Sequence, residues 1–155
     1  MNITAKSRYG LKIMMDLADH ENGSLQQRQQ IATRQGIPID FMDQIVARLK
    51  QAGLIDSIRG RSGGMQLRKR SSEISLWDIL IAVEDSVYPV KCLEHESCGL
   101  EHTCISMDAW SEVLVTIKKE LSHKYLYDVV ARWQKKKLGL NLEQQSGIRE
   151  CARPS

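Results

Sequence analysis

The chain has 155 residues, enough for one domain with a real core, and its 22 basic and 19 acidic residues leave a net charge of only +3. No run approaches the roughly eighteen apolar residues a membrane span needs, and the start holds Lys6, Arg8 and Lys12 with no apolar stretch, so a cytoplasmic chain with reduced thiols is expected. There is no nucleophile paired with a base, no phosphate-binding loop and no repeated ferredoxin-type cluster motif, which speaks against an enzyme.

Residues 4–20 form the first predicted helix. Thr4 caps its start, and Leu11, Met14, Leu17 and Ala18 recur at helical spacing. Ser24 and Gln27 have the spacing of a capping box, which predicts a short helix from 25 to about 35. Gly36 supplies the left-handed residue that ends it, Pro38 suits the first turn of a further helix, 38–52, and Gly53 closes that one.

Two helices joined by a tight glycine-containing turn are the signature of a helix-turn-helix, whose second helix enters the major groove. Phe41, Ile45 and Leu49, with Met42 and Val46, make its packed face and leave Asp40, Asp43 and Gln44 exposed near the N-terminus, where base edges are read. Residues 54–58 then alternate like a strand, Arg59-Gly-Arg61-Ser62-Gly63-Gly64 is a glycine-rich turn, and 65–68 alternate back. This is a basic-tipped wing. Within residues 1–75 twelve bases face seven acids, and 57–72 holds five bases with no acid. That distribution suits a polyanion, with Lys6, Arg28, Arg59 and Arg61 on phosphates or in a narrow minor groove.

Ser75 and Asp78 repeat the capping pattern before a helix that runs to Val83 or Glu84 and turns Leu76, Ile79, Leu80 and Val83 to the core. Pro89 stops regular structure, and Cys92, Cys98 and Cys104 follow with five residues in each gap and His95 and His102 between them. Thiolates are soft ligands for zinc, cuprous ion or iron-sulfur clusters, and three on one loop can converge on a single centre. Neither gap has the tight pairing usual for structural zinc, so an iron-sulfur cluster is the leading expectation. Zinc, one disulfide with a spare thiol, and no metal at all stay open.

From 105 to 122 a long helix carries Met107, Trp110, Val113, Leu114, Ile117 and Leu121 on one stripe, a seam suited to a homodimer. A last helix-like stretch, 125–134, ends in Lys135-Lys136-Lys137, and 138–155 with the lone Cys151 is expected to be a disordered tail.

The lead-in from Thr4 to Tyr9, the wing from Arg59 to Gly64 and the cysteine trio together resemble the IscR/NsrR family of winged-helix transcription regulators over roughly residues 1–135. The resemblance implies a homodimer with crossing C-terminal helices and an iron-sulfur cluster next to the dimer interface and the DNA-binding lobe. One branch of the family takes its fourth ligand from a histidine three residues past the last cysteine, where this chain has Met107. Another takes it from an acidic residue near the partner's N-terminus, where this chain has Arg8. Neither pattern fits, which leaves His102 as the favoured substitute, with His95, Glu101 and Asp108 near it, and 2Fe-2S against 4Fe-4S open. An acidic residue on the reading helix helps separate operator classes in IscR-like proteins, and Asp43 stands at that place.

The expected fold is therefore mainly α with a small β-wing. Residues 1–84 form a winged helix-turn-helix domain (reader helix 38–52, wing 54–69), 85–104 the cysteine loop and 105–137 the dimerisation helices. The expected function is a regulator, a repressor by preference, that binds a double-stranded DNA operator as a homodimer without membrane or small-molecule substrate. Alternatives are a thiol-switch or zinc-stabilised repressor on the same fold and, more distantly, a small electron carrier or metalloenzyme.

Overall fold

The structure, a computed structural model, describes residues 3–21, 23–60, 62–94 and 104–145. Its elements run α1 (Ala5–Asp19), α2 (Arg28–Gln35), α3 (Ile39–Gln51), β1 (Ile55–Ile58), β2 (Gly64–Leu67), α4 (Leu76–Val83), α5 (Met107–Ser122) and α6 (Leu126–Gln145), with short 3-10 turns at Ser71–Glu73 and Lys91–Leu93. This is a mainly helical chain with a small antiparallel wing. No helix among the described residues is long and apolar enough to cross a membrane.

Local chemistry sets most of the boundaries. The Thr4 hydroxyl accepts from the Lys6 amide and opens α1. Gly36, at φ 62°, ends α2 by donating its amide back to Ala32 and Thr33. Asp40 in the first turn of α3 and Arg48 and Lys50 in its last turn match the helix dipole. At α4 the predicted capping box is formed: the Asp78 amide donates to the Ser75 hydroxyl at 3.1 Å, and the Ser75 amide donates back to the Asp78 carboxylate at 2.9 Å.

The core gathers one face of each element. Ile13, Met14 and Leu17 of α1 meet Ile31 of α2, Met42, Ile45 and Leu49 of α3, and Ile79 and Val83 of α4, all buried. Gly10 lets α1 and α4 come close, since a Cβ there would lie 2.9 Å from a Val83 methyl. The wing pairs Ile55 with Leu67 and Ser57 with Met65, so that Ile55 and Met65 close the core from the sheet side. Phe41 departs from the predicted packed face of α3. It stays 38% exposed and meets Tyr9 edge to face at 5.7 Å.

Three other expectations are corrected. The pattern at Ser24 and Gln27 makes no capping box, because Gln26 is drawn into a bridge with Met65 (amide-to-carbonyl contacts of 2.9 and 2.8 Å) and holds residue 24 with its own side chain. The helix begins only at Arg28, with no side-chain cap. Second, the helix placed at 125–134 runs on to Gln145, so 138–145 is helical rather than disordered; residues 146–155, with Cys151, lie outside the described residues. Third, α6 does not simply accompany α5. Leu126 and Val130 are buried in the core beside α1, the Leu126 amide donates to Ile74, and Gln134 donates to Asp19 at 2.6 Å.

Candidate nucleic-acid interface and cysteine loop

The first turns of α3 present Asp40, Asp43 and Gln44 to solvent, as the period of its buried residues requires. Arg28, the first residue of α2, reaches across to Asp43 at 2.6 Å, both side chains being about half exposed. An ion pair this open contributes little stability and exchanges readily for a phosphate. On the wing, Arg59 and Ser62 are exposed, and Arg61 lies outside the described residues. The tip is tight: Gly60 has φ 118°, its carbonyl accepts from the Gly63 amide at 2.9 Å, and a Cβ on Gly63 would collide with the Ile58 carbonyl. Only glycine fits both positions.

Lys6, expected on a phosphate, is ion-paired in the free chain. Its ammonium lies 2.5 Å from one oxygen of Asp85, whose other oxygen takes the Arg48 guanidinium at 2.5 Å. These hydrogen bonds, Lys6 first and then Arg48, hold the Asp85 carboxyl below the usual aspartate range. Next to it, one oxygen of Glu84 accepts from the amides and hydroxyls of both Thr4 and Ser7. Burial works against the Glu84 charge, but the hydrogen bonds from Ser7 and Thr4 outweigh it and hold its carboxyl low. No sequence signal pointed to this acidic pair, because its partners lie almost 80 residues upstream in α1 or on the reading helix.

Cys92, in the turn Lys91–Leu93, and Cys104, just before α5, are both free thiols and partly exposed. The Ser106 hydroxyl, 3.5 Å from the Cys104 sulfur, and the Ser106 amide favour its thiolate and lower its pKa. Cys98, His95, His102 and Glu101 lie outside the described residues. Met107 begins α5, Asp108 is exposed in its first turn, and Arg8 is exposed with its guanidinium 5.4 Å from the Tyr9 ring centre. Among the described residues no three His, Cys, Asp or Glu side chains form a metal-binding group. The donor chemistry at Cys92 and Cys104 nonetheless suits an iron-sulfur centre: accessible sulfur, no disulfide among the described residues, and one thiol biased toward the charged form.

Residues 3–132 match the Rrf2 family, described as an iron-dependent transcriptional regulator. The chain belongs to the Rrf2 family. A curated relative of this family, the HTH-type transcriptional regulator IscR of Photorhabdus laumondii, is 33% identical over 130 residues, 84% of this chain and 79% of the relative. Among solved structures, CymR, the global cysteine regulator of B. subtilis, is 30% identical with a TM-score of 0.68, covering 85% of this chain and 98% of its own. The IscR of T. potens is 26% identical at a TM-score of 0.71, covering 88% and 90%. The oxidized form of Staphylococcus aureus CymR is 28% identical at 0.66, covering 84% and 96%. The Rrf2 fold thus carries a DNA-binding transcriptional regulator here, not an enzyme.

Proposed function

We propose that this chain is a cytoplasmic, homodimeric repressor whose grip on its operator is set by an iron-sulfur centre held by Cys92, Cys98 and Cys104, with His102 favoured to complete the set. The observation that carries the reading is the thiol pair at Cys92 and Cys104, free and partly exposed on a segment that leaves the winged-helix lobe at Glu84 and rejoins regular structure at α5. Such a centre, when bound, supplies sensitivity to redox state, nitric oxide or iron supply.

Every other part belongs to the chain itself. Asp40, Asp43 and Gln44 read base edges with Phe41 beside them, while Arg28, Arg59, Arg61, Ser62 and the Gly63 amide region position the duplex through its backbone. Lys6 reaches phosphate only when Asp85 releases it. Two reader helices in a dimer sit about one turn, ~34 Å, apart on a pseudo-palindrome. A coupling of about 1–3 kcal/mol between loop state and operator binding corresponds to a 5- to 150-fold switch.

A second reading is a thiol switch without metal. It is supported by the low Cys104 pKa and by likeness to a CymR structure in its oxidized form. Purification without oxygen separates the two. The first reading expects visible absorbance and bound iron, both lost in Cys98→Ala together with a changed affinity for the duplex upstream of the chain's own gene. Colourless, iron-free protein whose affinity follows added oxidant would replace it with the second.

A further inference from the structure

Helix α4 ends at Val83, fully buried, and the backbone turns extended at Glu84 (φ −87°, ψ 151°). The segment that reaches Cys92 seven residues after Asp85 departs from this joint. Three elements meet there. Glu84 holds Thr4 and Ser7 at the N-terminus of α1. Asp85 binds Lys6 of α1 and Arg48 in the last turn of α3, and Arg48 also donates to the Val83 carbonyl at 3.1 Å.

We propose that Glu84 and Asp85 form a latch that relays the state of the cysteine segment to the reading helix, with Arg48 as the positioning residue on α3. The proposal rests on the sensing reading above. Arg48 grips α3 at the end opposite Asp40, Asp43 and Gln44. A 13-residue helix is about 20 Å long, so a tilt of ~5° about one end moves the other by roughly 1.7 Å, enough to break hydrogen bonds to bases. Among the described residues Asp85 is the carboxylate shared by α1 and α3, and its side chain is 66% exposed, so it can let go without opening the core. Release of Asp85 also frees the Lys6 ammonium for phosphate. An open pair of salt bridges suits this task better than a buried one, because neither arrangement is strongly favoured and a small bias shifts the balance.

The test compares the full chain purified without oxygen with the same protein after treatment with a metal chelator under reducing conditions, each titrated with the duplex upstream of its own gene. Wild type should give different affinities in the two forms, within the roughly 5- to 150-fold range of allosteric switches, and Asp85→Asn should bring that ratio to about one. The absorption spectrum and melting temperature should stay unchanged, and hydrogen exchange in the last turn of α3 should become alike in both forms. Asp85→Glu should restore the ratio. Arg48→Lys keeps the charge but cannot hold Val83 and Asp85 together, and should also reduce it. A wild-type ratio that persists in both Asp85→Asn and Arg48→Lys overturns the latch alone. Equal affinities of the two wild-type forms overturn the sensing reading and the latch with it.

Discussion

A carboxylate sealed inside a fold is costly unless each oxygen finds a donor, and Asp16 shows how this chain meets that demand. Its side chain is 2% exposed and lies on the α1 face turned to α2. The Arg34 guanidinium donates to both oxygens, at 2.5 and 3.1 Å, and the Gln35 amide adds a third contact at 2.8 Å. The hydrogen bond to Asp16 in turn raises the Arg34 pKa. Arg34 also donates to the Gln26 carbonyl oxygen of its side chain at 2.8 Å, tying the strand-like stretch before α2 to the same point. The Arg34 side chain is itself 37% exposed, so water screens one side of the pair, and Arg34→Ala should destabilise the chain by about 1–2 kcal/mol, below the range for a fully buried pair. In denaturant titration the midpoint should fall with the slope unchanged. A loss below half a kcal/mol would mean that Asp16 is solvated after all.

At the level of elements, the wing shows what a short stretch of sequence can specify. Glycine at 60 and 63 is demanded by a positive φ and by a carbonyl in the way of any Cβ, so the hairpin and its basic tip can be read from the thirteen residues 55–67. Gly63→Ala should open that tip. Operator affinity should fall roughly tenfold and the salt dependence flatten by about one phosphate's worth, while the melting temperature moves little because the strand residues facing the core are untouched. The reader helix was legible for a similar reason: Met42, Ile45 and Leu49 repeat within one helix, and a left-handed glycine precedes it. Where sequence reading failed, a distant partner decided the outcome. The same serine-based pattern caps α4 at Ser75 but not α2 at Ser24, because Met65, some forty residues on, recruits Gln26 into a bridge. The length of α6 was hidden too, since Lys135, Lys136, Lys137 and Gly139 give no apolar stripe and helix continues without one. The Glu84–Asp85 pair could not be read at all, being an ordinary acidic dipeptide until α1 and α3 arrive beside it.

For the molecule as a whole, α5 is the element that the single chain leaves unsatisfied. None of its 16 residues is buried, and on its apolar stripe Trp110 and Val113 are 41% and 40% exposed. A mostly apolar cavity of about 450 Å³ continues from its Leu121 to Ile3, Leu11, Leu76 and Ile79. A contiguous apolar surface on a polar chain marks an interaction site; of the roughly 150–250 Å² a tryptophan can bury, the 41% still exposed at Trp110 leaves roughly 60–100 Å², about a tenth of one partner's share of an ordinary interface. A second copy of α5 is the occupant expected of a regulator that reads a two-fold operator. Val113→Glu isolates this point, because a side chain already 40% exposed in the single chain can carry a charge without harming its fold. Buried against a partner, the same charge would be unpaired in an apolar seam. Sedimentation should show wild type as a dimer and the variant as a monomer, with the helical content of the two alike. Operator affinity should collapse by several orders of magnitude and the salt slope should halve, since one reader and one wing then neutralise half as many phosphates. A variant that stayed dimeric, or a wild type already monomeric at micromolar concentration, would remove α5 from the assembly and leave its exposed stripe for some other protein.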